Sequence, residues 1–217
     1  MDENVKGRRR RYHSPRRTEQ AAATRHAVLT AGRQLFIANG YAATTVAAIA
    51  RRANVAVDTV YATVGRKPAI LRQLVETAIS GTDEAVPAVA RDYVVRIRAA
   101  GSAREKIAIY ATAIAVIQQR LAPVFLALRD AALTDTDCAD LWTEIGRRRA
   151  HNMREFAADL RATGELRADL TDDEIADIMW SMNAAEYWVL LVNERGWTPH
   201  RMGTWLADAW NRLLLRN

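Results

Sequence analysis

Cysteine is nearly absent: Cys138 is the only one in 217 residues. That excludes an internal disulfide framework and any zinc site built from several thiolates, and it leaves Cys138 as an inert structural thiol in a reducing compartment. Histidine is scarce as well, and His13, His26, His151 and His200 show no metal-ligand spacing. There is no Gly-rich phosphate loop and no Ser/His/Asp signature, so catalysis is not expected and neither is a cofactor or metal. The run Asp172-Asp173-Glu174 suits the first turn of a helix, where carboxylates meet the positive end of the dipole. Sustained period-two alternation is also missing, which argues against a sheet. The longest apolar run, Ile107 to Ile117, is about half of a membrane span. The first seventeen residues lack the apolar centre of a secretory signal. A cytoplasmic protein without a membrane partner is the expectation.

What is present is apolar residue and unevenly placed charge. Hydrophobic residues make up 50% of the chain, enough to bury a core. From Met1 to Lys67 there are 13 Lys/Arg against 4 Asp/Glu; from Pro68 to Asn217 there are 18 against 21. The excess positive charge therefore sits in the first third, which points to a nucleic-acid-facing N-terminal part and a body with another task. Residues 1–17 are poor in apolar side chains and carry Arg8, Arg9, Arg10 and Arg11, then Arg16 and Arg17. Such an arm is expected to be disordered on its own and to reach phosphates or a narrow minor groove.

The remainder reads as helix almost throughout, an all-α fold. Val28, Leu29, Gly32, Leu35 and Phe36 share one face of a first helix that Asn39-Gly40 ends. Its start is set by Ser14-Pro15 or by Thr18. A second helix opens at Thr44 or Thr45 and closes near Ala53. A third covers Val57 to Thr63, and Gly65 ends it; a fourth opens at Lys67-Pro68. Beyond Gly81, breaks at Pro87, Gly101-Ser102, Pro123, the turn at 134–137, Gly164 and Gly196 predict helices near 87–100, 103–120, 122–133, 138–163, 171–195 and 198–215.

Two of these helices are too short to build cores of their own. The second supplies Val46, Ile49, Ala50 and Ala53, and the third supplies Val57, Val60 and Tyr61. Against the face of the first helix they make a small three-helix core, with Asn54 able to take left-handed backbone angles in the tight turn. This is a helix-turn-helix, which presents its second helix to a DNA major groove.

The segment "LFIANGYAATTVAAIARRANVAVDTVYATVGRKPAIL" resembles the DNA-binding pattern of the tetracycline-repressor (TetR) family of bacterial transcription regulators. The motif match runs from Thr24 to Leu74, and beyond it the likeness is one of architecture. Three departures stand out: Asn54 for the usual turn Gly, Ala56 for the usual Ser that caps the third helix, and Thr63-Val64 for the common His-Phe. The resemblance implies phosphate contacts from Thr45, Tyr61 and Lys67. Base edges would be met by the exposed face of the third helix: Val57, Asp58, Thr59, Ala62 and Thr63. Arg51 and Arg52 suit phosphate binding and a solvated face equally.

The resemblance also divides the chain into an arm at 1–17, a DNA-binding head at 18–66 and an effector-binding, dimerising body at 67–217. In the family the last two helices pair with those of a second subunit. Trp180, Ala184, Tyr187, Trp188 and Leu191 share a face suited to that packing, as do Trp205, Leu206, Ala209 and Leu213. The family's effector pocket lies within the body, and the candidates here are Tyr110, Ile114, Phe125, Arg129, Trp142 and Met153, with Ile117 and Leu126 beside them. From the long helix near 171–195 come Met179, Met182, Asn183 and Glu186, the last three within one turn. Arg148, in the run Arg147-Arg148-Arg149, is a candidate for an anionic effector. The implied function is a homodimeric regulator that binds a palindromic double-stranded operator and is released by a small molecule. A constitutive or architectural DNA binder with a packed body, and a helical ligand-binding protein, are the alternatives.

Overall fold

The computed structural model describes residues 15–216; Arg8 to Arg11 and the side chain of Arg17 lie outside that description. Among the described residues the chain is helical, with one isolated antiparallel bridge between Leu166 and Leu215. Helix α1 spans Pro15–Ala43, so residues 15–17 of the expected arm are helical. Its regular part stops where the sequence predicts, because Gly40 takes φ 76° and ψ 171°. Thr44, buried in the following turn, donates to the Leu35 and Gly40 carbonyls.

Helix α2 spans Val46–Ala53 and is capped by Thr45, whose hydroxyl accepts from the Ala48 N–H. Asn54 ends it in the left-handed region at φ 55°. Helix α3, Val57–Thr63, follows without a side-chain cap at Ala56, with Asp58 in its first turn. Helix α4, Lys67–Ser80, starts with Pro68 in its first turn, where the missing N–H costs nothing. Val28, Phe36, Ile49, Val60, Ile70 and Leu71 form the core of this head. Within the head the helices pass close at Gly32, where an added Cβ would lie 2.9 Å from Ile70 Cγ2. Gly32→Ala therefore gains about 1 kcal/mol in helix propensity and loses about 1–3 kcal/mol to overpacking. Thermal unfolding should show a lower Tm despite the better helix former.

The body differs from the predicted helix boundaries in three places. Helices expected at 103–120 and 122–133 are one helix, α6, Ala103–Ala131, running straight through Pro123. The carbonyl that Pro123 cannot satisfy belongs to Gln119, an exposed residue that water can serve. The neighbouring Arg120 carbonyl accepts from Arg33 Nη1 at 2.7 Å. So extended, α6 is long and apolar enough to cross a membrane, but 61% of its apolar window is buried inside the fold. It is the core helix, packed against α1 and α4 of the head, α5 (Asp92–Ala99), α7 (Thr136–Arg161) and α10 (Pro199–Leu214). Gly203 lets α10 approach the Ala111 carbonyl of α6, 3.3 Å from where a Cβ would stand.

The helix expected at 171–195 is not continuous. Helix α8, Asp172–Met182, starts in a capping box between Thr171 and Glu174. It ends at Asn183, Ala184 turns extended (φ −69°, ψ 153°), and α9 restarts at Ala185–Trp188 before a π-helical turn at Val189–Glu194. The stretch expected at 87–100 is likewise a short 3₁₀ turn, Ala88–Ala90, followed by α5.

Candidate nucleic-acid interface and ligand cavity

The exposed side of the head is the face on which the sequence places DNA. Val57, Asp58, Tyr61 and Ala62 of α3 are exposed, and Tyr61 keeps 48% of its surface. Thr59 and Thr63 are half-buried, and the Thr63 hydroxyl donates to the Thr59 carbonyl of its own helix at 2.6 Å. Thr45 is exposed while serving as cap, Arg51 and Arg16 are exposed, and Arg52 Nε donates to Gln34. Lys67 Nζ donates to the Tyr41 carbonyl at 2.8 Å and lies 4.0 Å from the centre of the Tyr41 ring. An ammonium has three donors, so Lys67 can brace α4 against α1 and still meet a phosphate.

Tyr41 continues this chain of contacts into the body. Its hydroxyl donates to Asp135 Oδ2 at 2.6 Å, and Asp135 Oδ1 accepts from the Cys138 N–H to cap α7. The hydrogen bond from Tyr41, more than any other contact, holds the Asp135 carboxyl below its ordinary range. Burial, then the same bond, raises the Tyr41 phenol, and burial pushes the Cys138 thiol up to about 11, as befits an inert buried residue. Because the folded Asp135 value is depressed, the stabilisation is present above the ordinary carboxylate pKa of about 4 and is lost as pH falls through the folded value. Tyr41→Phe should thus cost about 1.5 kcal/mol at neutral pH, the low end for a bond to a charged group because Asp135 is partly open to solvent. Urea unfolding at a series of pH values should show that cost shrinking below pH about 4.

Inside the body is a cavity of about 730 Å³ between α4, α5, α6 and α7, reached also by Asn183 at the break after α8. Of the predicted pocket residues, Tyr110, Ile114, Ile117, Arg148, Met153 and Asn183 line it. The others lie elsewhere. Phe125 and Trp142 stack on one another with ring centres 4.5 Å apart, and Met179 and Met182 are buried in the core. Arg129 and Glu186 pair with each other at 3.2 Å on the outside. For Met182 and Glu186 the break at Asn183 is the reason: Met182, Asn183 and Glu186 do not share one helical turn, so of the three Asn183 alone lines the cavity. Arg148 is held by Glu76 at 2.6 Å, and its neighbour Arg149 is the more buried arginine.

Several polar residues of the cavity escaped the sequence, among them Arg149 and Gln118. Gln118 shares the apolar face of Tyr110, Ile114, Ile117 and Leu121, and is only 3% exposed. A glutamine inside an apolar helical stripe was the available signal.

The predicted dimer face is altered by the same break and by the π-helical turn, which shift the side-chain period after Asn183. Trp188 and Leu206 are buried in the chain's own core, so they are not surface residues. Ala184, Tyr187, Leu191, Trp205 and Ala209 are half-buried, whereas Trp180, Leu190 and Leu213 are exposed. Tyr187 and Trp205 stack with centres 6.1 Å apart.

Residues 28–74 match the model of the bacterial regulatory proteins of the tetR family. No curated protein sequence matches the chain. The whole architecture is similar to that of NalD, the secondary repressor of the MexAB-OprM multidrug efflux pump in Pseudomonas aeruginosa: TM-score 0.70, 18% identity, 92% of this chain and 99% of that one covered. It is similar also to SmeT in complex with triclosan, at TM-score 0.69 and 17% identity over 90% of this chain and 93% of that one. A third likeness is to FadR from Bacillus subtilis in complex with stearoyl-CoA, at TM-score 0.68 and 18% identity over 85% and 96%. At such identities these structures show the fold, and the family match is confined to residues 28–74, the segment that holds α2, α3 and the start of α4.

Proposed function

We propose, on the premise that residues 28–74 form the DNA-binding domain of a TetR-family regulator, that this protein is a cytoplasmic homodimeric repressor whose grip on a palindromic operator is released by a small molecule. The observation that carries this is the course of α4. Lys67 at its start braces the head beside α3, while Glu76 and Ile79 farther along it line the body's cavity. A ligand that displaces Glu76 from Arg148 would move the helix that follows α3 in the chain and shares the head's core with it. Linkage then requires DNA and ligand to weaken each other by equal factors. The cavity volume of about 730 Å³ lies within the usual range for small-molecule sites. The similar proteins SmeT and FadR hold triclosan and stearoyl-CoA, which supports a ligand-accepting body here.

Head at 18–66 and body at 67–217 remain the working division, with α4 the element they share. Trp180, Leu190 and Leu213, beside Tyr187 and Trp205, form the exposed apolar surface assigned to the partner subunit. Two heads on one dimer read two half-sites.

Selection of bound sequences from a random duplex pool tests this, with full-length protein beside a version lacking residues 1–17. A palindromic winner bound by both makes the helix-turn-helix the reader. A preference shown by the full-length protein alone assigns recognition to the arm. Salt-sensitive binding without any sequence preference in either would remove the operator and, with it, the repressor.

A further inference from the structure

The polar groups of the cavity converge on one residue. Asn183 accepts from Arg149 Nη2 on its Oδ1 at 2.5 Å, and its Nδ2 donates to the Tyr110 hydroxyl at 2.7 Å. Its backbone carbonyl accepts from Gln118 Nε2 at 2.5 Å. Each of the three partners is left with unspent capacity. The Asn183 carbonyl fixes which end of the Gln118 amide faces it, so Oε1 is the free end; it is buried and has no hydrogen-bond partner among the described residues. The Tyr110 O–H has only the Met153 thioether to donate to, at 3.5 Å. Arg149 is held by two neutral acceptors, Asn183 Oδ1 and the Trp180 carbonyl, both through Nη2. Among the described residues no carboxylate lies within ion-pair distance of it, and burial holds its pKa below the ordinary value.

A half-buried guanidinium that has two aromatic faces but no counter-ion, and a buried carbonyl oxygen without a donor, both favour a ligand that completes them. One ligand can satisfy both. We propose that the cavity takes an apolar organic anion carrying an N–H or O–H group: its acid sits on Arg149 and the Tyr110 hydroxyl, and its donor meets Gln118 Oε1. Ile114, Ile117, Phe156 and Tyr93 supply the apolar wall. This rests on the cavity being the effector site and adds the chemical class of the effector. The break between α8 and α9 is what makes the site, because an unbroken helix would spend the Asn183 carbonyl within itself.

The test uses two fluorescent probes on the full-length protein. Toluidinonaphthalene sulfonate is an aromatic anion with one N–H, and N-phenylnaphthylamine is a similar aromatic amine without the sulfonate. The expected result is one sulfonate probe per chain, with Arg149→Met weakening it at least about tenfold and leaving the neutral probe within about twofold. Arg149→Met gives up the hydrogen bonds to Asn183 Oδ1 and the Trp180 carbonyl, a cost of about 1–3 kcal/mol, so unchanged binding of the neutral probe is also the check that the variant is folded. Arg149→Lys should restore part of the lost affinity, which a merely structural defect would not. Gln118→Leu should weaken both probes, because both carry the N–H. Ile114→Trp, which fills the cavity, should abolish both.

Equal binding of the sulfonate probe to the native protein and Arg149→Met overturns the anion assignment. If Ile114→Trp still removes the neutral probe, the effector cavity survives that failure with a neutral ligand. If Ile114→Trp changes neither probe, neither enters the cavity, and the proposal and the effector site lose support together. Gln118→Leu without effect on either probe removes the donor from the ligand's description.

Discussion

Trp210→Ala is expected to cost about 3–5 kcal/mol of stability, the range for emptying a large buried aromatic site. Trp210 is 0% exposed and stacks on Tyr110, ring centres 5.6 Å apart and planes 23° from parallel. It therefore fastens α10 to the middle of α6 at the point where Tyr110 enters the cavity. A loss of that size is a large fraction of the total of about 5–15 kcal/mol typical of a folded domain. Trp210→Phe separates packing from hydrogen bonding. The indole Nε1 is buried and has no partner among the described residues, so phenylalanine gives up some volume but also removes an unpaired donor. Its cost should stay under about 2 kcal/mol. Urea unfolding of both variants decides the matter. A Trp210→Ala protein within about 1 kcal/mol of the native one would mean that α10 is held on α6 by something other than this ring.

The second large effect is on DNA. Tyr61→Ala combined with Lys67→Ala should weaken operator binding by about 100-fold, two lost phosphate hydrogen bonds at roughly tenfold each. The salt slope should fall by only about 1, since Lys67 alone carries charge. The loss should be similar on operator and unrelated duplex, because phosphate contacts position the protein without reading bases. Tyr61 is exposed, so its removal should leave the fold alone, whereas Lys67 also holds the Tyr41 carbonyl and ring. Lys67→Ala is thus expected to loosen the head by about 1 kcal/mol, which melting of the DNA-free protein measures separately. Binding of the neutral probe in the cavity should be unchanged. An affinity loss below about threefold would move phosphate binding away from the start of α4 and onto the arm or α2.

How much could be read without coordinates depends on how local the cause is. The head was legible almost residue by residue. Thr45 caps α2, Asn54 takes the left-handed turn, Gly40 stops α1, and Pro68 opens α4, each through the backbone chemistry of that residue type and its immediate neighbours. The all-helical class followed from periodicity, and the basic head from charge counts. In the body the same local rules misplaced three boundaries. Pro123 was taken as a stop, yet α6 passes through it, because the surrounding helices stabilise α6 by more than one lost hydrogen bond costs. Asn183-Ala184 carried no stop signal, yet α8 ends there, because the Asn183 carbonyl and amide are spent on Gln118, Tyr110 and Arg149, residues 65, 73 and 34 positions away in the chain.

From that one break follow other departures: Glu186 outside with Arg129 and Trp188 in the core. The sequence by itself thus determined the all-helical class, the short capped helices of the head and the excess of positive charge in the first third of the chain, since those depend on spacing, caps and composition. Which polar groups meet in the cavity, and so what it can bind, was decided only by tertiary structure, because a buried hydrogen bond between distant residues leaves no period in the chain.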